Sequence, residues 1–160
     1  MRPHTPAPKR SRASKRGFTL VEIGLVVLII GMLTMLAIPL ITKGRDNARA
    51  ARFINDLRNG VQSFELYALM TGYYPDAADP GVIPVGMEEE LRRPQWDKPT
   101  PIGGTWDWVL DEGAVYAGVA VVAPTSSLAL LQAIDQRMDD GNLGTGRFFG
   151  DASGVTFLIE

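Results

Sequence analysis

Hydrophobic positions fall along this chain in three regimes. From Phe18 to Thr42 there are 25 residues with a single charged side chain, Glu22. Apolarity there has no period, which predicts a helix that is apolar all round. Within it, Ile23–Thr42 is 20 residues with no ionisable side chain, about 30 Å of helix and enough to cross a hydrocarbon core. Further on, Ala50, Phe53, Ile54, Leu57, Val61, Phe64 and Ala68 recur at three- and four-residue steps, the spacing of an amphipathic helix. Arg45, Arg49, Arg52, Arg58 and Glu65 fall largely off that stripe. The two stretches read as one helix from Phe18 to about Thr71, roughly 80 Å long. Gly72-Tyr73-Tyr74-Pro75 stops it, with glycine for the C-cap and proline after.

The third regime is mixed. A Pro- and Gly-rich connection runs from Asp76 to Gly104, with one or two helical turns expected over Met87–Arg93 before Pro94. Trp106–Leu110 alternates as a strand does, and a turn at Asp111-Glu112-Gly113 leads to a second strand over Ala114–Val122. Thr125 or Ser126 is the expected N-cap of a helix reaching about Met138, with Leu128, Leu131, Ile134 and Met138 on one face. Gly144–Phe149 and Val155–Ile159 read as a closing hairpin. The fold class expected is α+β: a long N-terminal helix on a small, mostly antiparallel sheet with an inserted helix.

Three residues disturb the apolar run. Glu22 is a carboxylate near the end of a membrane-length segment, costing about 2.5–3.5 kcal/mol if unpaired, so a compensating cation is expected. Pro39 removes a backbone hydrogen bond and crowds the preceding turn, and Gly31 adds backbone freedom. A kink or loosening is expected at these two.

Charge sharpens the division. Residues Met1–Gly17 carry six Lys/Arg and no acid, whereas beyond Tyr73 there are 5 basic and 14 acidic residues. An acidic exterior speaks against nucleic-acid binding by the folded part, since phosphate contacts depend on clustered Lys/Arg. The chain has no cysteine, which excludes disulfides, thiolate metal sites and thiol nucleophiles. A secretory signal has a shorter apolar region and then a small-x-small cleavage site, and neither condition holds here.

Lys15-Arg16-Gly17-Phe18-Thr19-Leu20-Val21-Glu22 followed by the apolar run closely resembles the type IV prepilin and type II secretion pseudopilin family. The resemblance implies removal of a leader, residues 1–17, by a prepilin peptidase cutting between Gly17 and Phe18. It implies N-methylation of the new amino terminus at Phe18 by the same peptidase/N-methyltransferase. The rest of the chain then divides into a helix over 18–72 (18–42 transmembrane and polymerising, 43–72 amphipathic) and a pilin-like α+β head over 73–160. Gly31 and Pro39 sit where such pilins carry a helix-breaking glycine and proline. Physical chemistry supplies a role for Glu22. The α-amine of a processed Phe18 is protonated at neutral pH, and between neighbouring chains it can pair with a desolvated Glu22, registering a filament.

The function expected is therefore a structural subunit, minor or atypical, of a type IV pilus or type II secretion pseudopilus. Its expected partners are the peptidase, other pilin or pseudopilin subunits, an inner-membrane assembly platform and membrane lipid. The place expected is the bacterial inner membrane, leader cytoplasmic and head periplasmic, before extraction into a filament. The alternative is an uncleaved single-pass anchored binding domain using Trp106 and Trp108. No enzyme, cofactor or metal site is expected: the only histidine, His4, lies in the leader, which leaves no His or Cys for base or nucleophile. Carboxylate pairs such as Asp107/Asp111 follow no catalytic pattern. Asp139, Asp140 and Asn142 are the calcium candidates, since they supply oxygen ligands, but a calcium ion needs 6–8.

Overall fold

A computed structural model of the chain describes residues 17–92, 95–112 and 115–159. The leader residues 1–16, the Arg93-Pro94 pair, Gly113, Ala114 and Glu160 lie outside the described residues. Two compact units divide the chain, Met1–Ile41 and Thr42–Glu160. One helix, α1 (Leu20–Thr71, 52 residues), contributes to both.

In the first unit α1 opens on a side-chain cap. The Thr19 hydroxyl accepts the Glu22 amide at 3.2 Å, and the Thr19 carbonyl accepts the Ile23 amide at 3.2 Å. Threonine three residues before glutamate is the capping-box spacing, so the helix begins two residues later than the apolar pattern alone predicts. The backbone stays helical through Gly31 and Pro39. The helix is long and apolar enough to cross a membrane, and none of its most apolar window is buried.

The second unit is an α+β, pilin-like arrangement. Ala50, Phe53, Ile54, Leu57, Val61 and Phe64, the stripe expected from periodicity, are the buried face of α1. They pack on a four-stranded antiparallel sheet of β1 (Thr105–Glu112), β2 (Val115–Val122), β3 (Phe148–Gly150) and β4 (Gly154–Leu158), ordered β1-β2-β4-β3. Phe53 stacks on Trp106 with ring centres 5.4 Å apart, and Phe64 on Trp108 at 3.8 Å. Such aromatic pairs add about 0.5–1.5 kcal/mol beyond their buried area. Trp96, carried by the long connection, is fully buried against both Trp106 and Phe64. The indole N–H groups of Trp108 and Trp96 donate to the carbonyls of Pro75 and Val82. Thus the connection folds over the sheet, anchored also by the Gly81 amide donating to the Trp106 carbonyl at 2.7 Å.

Several local expectations are corrected. β1 runs two residues past Leu110, because Glu112 still pairs with Val115. The helical turns expected over Met87–Arg93 shrink to a 3-10 turn, Glu90–Arg92. The second helix, α2 (Leu128–Met138), is capped by Ser127 and not by Thr125 or Ser126. Those two are held elsewhere: both of their amides and the Ser126 hydroxyl donate to the Ile102 carbonyl. The buried face of α2 is Leu130, Leu131, Ile134 and Asp135, while Leu128 is exposed. Leu131 and Ile134 face inward as expected, and Met138 is partly buried against the core.

Candidate functional site

Two places gather the residues singled out by sequence, one in each unit. At the head of α1, Gly17 and Phe18 are exposed, Phe18 by 77%. Thr19 caps the helix, and Glu22 sits in its first turn. A carboxylate in a first turn is favoured by the unpaired amides and dipole of the helix start. Glu22 is exposed alongside Leu20, Val21, Ile23 and Leu25. A Cβ added at Gly31 would meet nothing within 4 Å, so this glycine leaves an open notch on an apolar rod. A helix with every apolar side chain outward is complete only in lipid or among other helices.

The second place is the C-terminal end of α2 and the loop after it. Asp139 accepts the Arg147 amide closely and the Phe148 amide at 3.2 Å through one oxygen. Asp140 accepts the Asn142 amide at 2.8 Å and the Thr145 hydroxyl at 2.7 Å. Those bonds hold the Asp140 carboxyl below the usual carboxylate range. The Asn142 side-chain oxygen accepts the Gly144 amide. Gly146, at a φ of 82°, is required on two grounds: its backbone is left-handed, and a Cβ there would run into the Asp139 carboxylate.

Sequence reasoning missed Asp135. It is fully buried on α2, and neither carboxylate oxygen has a hydrogen-bond partner. Ligand oxygens of Asp135, Asp139 and Asp140 lie within 4.8 Å of one another. Burial foremost, then the neighbouring Asp140 and Asp139 charges, push the Asp135 pKa up, while the Gly141 amide, near the carboxylate but without hydrogen-bond geometry, opposes them. An unpartnered buried carboxylate facing two others is a shortage of positive charge. The donor set, all carboxylate oxygen, suits a hard dication such as calcium. The i, i+4 spacing of Asp135 and Asp139 at a helix end was the signal available in the sequence.

Other expectations fall differently. Trp106 and Trp108 are 1% and 2% exposed, so their rings are core and offer no face to a ligand. The anchored-binding-domain alternative loses the pair it depended on. Glu88, Glu89 and Glu90 are exposed, as a solvated run should be. Asp107 is pushed up by burial and by Glu112, with Asp79 adding to it, and Asp111 is exposed on the strand end.

The chain is similar to proteins named type II secretion system core protein G. It is 34% identical to that of Klebsiella michiganensis over 64 residues, 40% of this chain and 45% of that protein. With the Escherichia coli protein it shares 32% over 66 residues, 41% of this chain and 46% of that one. For Pseudomonas aeruginosa the values are 29% over 83 residues, 52% and 54%. The chain thus matches about half the length of these curated relatives, and the similarity supports the pseudopilin resemblance. No family model matches the chain, and no solved structure matches it.

Proposed function

We propose that this chain is a structural subunit of a pseudopilus of the type II secretion kind, processed after Gly17 and assembled through the apolar half of α1. The observation that carries the reading is the outward apolar surface of α1, headed by Phe18 and Glu22, in a chain similar to core G proteins. Processing would free an α-amine on Phe18 at the mouth of a capped helix. That amine, methylated, would pair with Glu22 of a neighbouring copy once both leave water. Gly31 and Pro39 would let the packed helix loosen locally. The secretion branch is favoured over a pilus by the names of the relatives. The missing cysteine pair fits a minor or atypical subunit.

The partners follow from this reading: the prepilin peptidase/N-methyltransferase, sister subunits, an inner-membrane assembly platform and lipid. Its place is the bacterial inner membrane, leader inward and head in the periplasm, followed by extraction into the filament. The role is non-enzymatic. At the end of α2, Asp135, Asp139 and Asp140 would hold calcium, which would supply the positive charge that the buried Asp135 lacks.

Mass spectrometry of protein extracted from membranes of its host tests the reading. A species beginning at a methylated Phe18 is the expected result. An intact leader would refute processing and return the chain to a single-pass anchored domain.

A further inference from the structure

Arg45, Arg49 and Arg52 occupy one face of α1 at i, i+4 and i+7. With Ala48 and Pro101 they line an open concavity of about 390 Å³. All three arginines are exposed. Asp46, on the same helix, lines a different hollow with Lys43, Asn47 and Ser127. Arg52 has a partial counter-charge, since it favours ionisation of Asp56, four residues on. Arg45 and Arg49 have none within the concavity. Arg92–Glu89 is the ion pair among the described residues, exposed and 3.4 Å long. Such a row of arginines, two of them without a counter-charge in the concavity, suits planar carboxylates, which guanidinium grips with two parallel bonds.

The same unit carries the complement. Glu88, Glu89 and Glu90 form an exposed acidic run, with Glu89 held at its surface by Arg92 at 3.4 Å and Glu88 accepting the Gly86 amide at 3.3 Å, and the Glu90 carbonyl accepts the Ser63 hydroxyl at 3.2 Å. That bond ties the run to a level of α1 fourteen residues beyond Arg49, about 21 Å along the helix axis at 1.5 Å per residue. Within one chain the two patches therefore cannot meet. We infer that the Arg45/Arg49/Arg52 face is the docking surface for the Glu88–Glu90 run of a second copy, displaced along the helix axis by about that distance. The inference rests on the filament reading and adds a head-to-stalk contact outside the membrane segment. Single exposed pairs are weak, about 0.2–1 kcal/mol, but repetition along a polymer makes them a register device sensitive to salt.

The chain has no cysteine, so engineered pairs report cleanly. Ala48→Cys with Glu89→Cys in one chain, oxidised in cells where filaments are counted by electron microscopy, is expected to give a ladder of disulfide-linked multimers. Either substitution alone gives none. Pairing within one chain is excluded, since a disulfide spans at most about 7 Å between Cα atoms. Adding Arg49→Glu should cut the ladder about tenfold, and Glu88→Arg on top should restore most of it. Filaments without a ladder overturn the contact and leave the filament reading standing. Neither filaments nor ladder overturns both. A ladder indifferent to Arg49→Glu means the arginines serve another partner, anionic lipid included, and overturns the inference.

Discussion

Residues 20–41 and residues 50–64 of α1 share one backbone geometry and opposite surroundings. In the first stretch Leu20, Met35, Leu36 and Leu40 are at least 70% exposed. In the second, Phe53, Leu57 and Phe64 are buried to 1% or less. Helix propensity cannot account for the difference, since both stretches are helical. The distribution of apolar side chains around the axis can. A stripe is satisfied by one sheet, whereas a fully apolar circumference needs a surrounding that is apolar on every side. The packed stretch is thus complete in one chain, and the outward stretch asks for lipid or sister helices.

The comparison can be broken most forcefully at its two ends. Glu22→Ala is expected to leave membrane insertion and cleavage intact while incorporation into filaments, read by shearing and immunoblot, falls at least about tenfold. Normal incorporation would remove the registration role from Glu22. Phe64→Ala removes the ring stacked on Trp108 and should destabilise the head by about 3–5 kcal/mol in urea unfolding followed by tryptophan fluorescence. Leu28→Ala, in the outward half, should change that stability by less than about 0.5 kcal/mol. Equal losses from the two substitutions would mean that the halves are not energetically distinct.

Smaller effects sharpen the picture at α2. Asp135 has a raised pKa, so the native state holds its proton more tightly than the unfolded chain. Stability from this group is therefore present below the ordinary 3.8 and is lost as pH rises through the raised value. With calcium chelated, Asp135→Asn should stabilise the head at neutral pH by about 1–3 kcal/mol. That gain should vanish in acid. Calcium at a hundredfold excess over its dissociation constant should add about 2.7 kcal/mol to the parent and little to the variant. A parent whose melting ignores calcium would leave the acidic group without a metal. Ser127→Ala, which removes the hydroxyl accepting the Leu130 amide, should cost about 1 kcal/mol, read by the same unfolding.

Much of this was legible in the residues because it depends on local order. The periodicity of Ala50 to Phe64, the Gly72–Pro75 stop and the alternation of Trp106–Leu110 are properties of neighbouring positions. What was misjudged depended on partners far away in sequence. Thr125 and Ser126 are respectable caps, yet the Ile102 carbonyl, more than twenty residues back, claims them and passes the cap to Ser127. Asp135 lies one position after the apolar Ile134 on an amphipathic helix. Only the packing of α2 turned it inward, toward Asp139 and Asp140 and without a hydrogen-bond partner.

From sequence alone came the membrane-length apolar run, the single acid at its head, the motif resembling a prepilin cleavage site and the charge contrast between leader and head. These need only composition, spacing and solvation energy. The tertiary structure decided the strand order, the stacking of Phe53 and Phe64 on the β1 tryptophans, the burial of Asp135 and the separation of the arginine face from the glutamate run. Each of those is a distance between residues remote in the chain, fixed when loops close and the core packs, and no local pattern contains it.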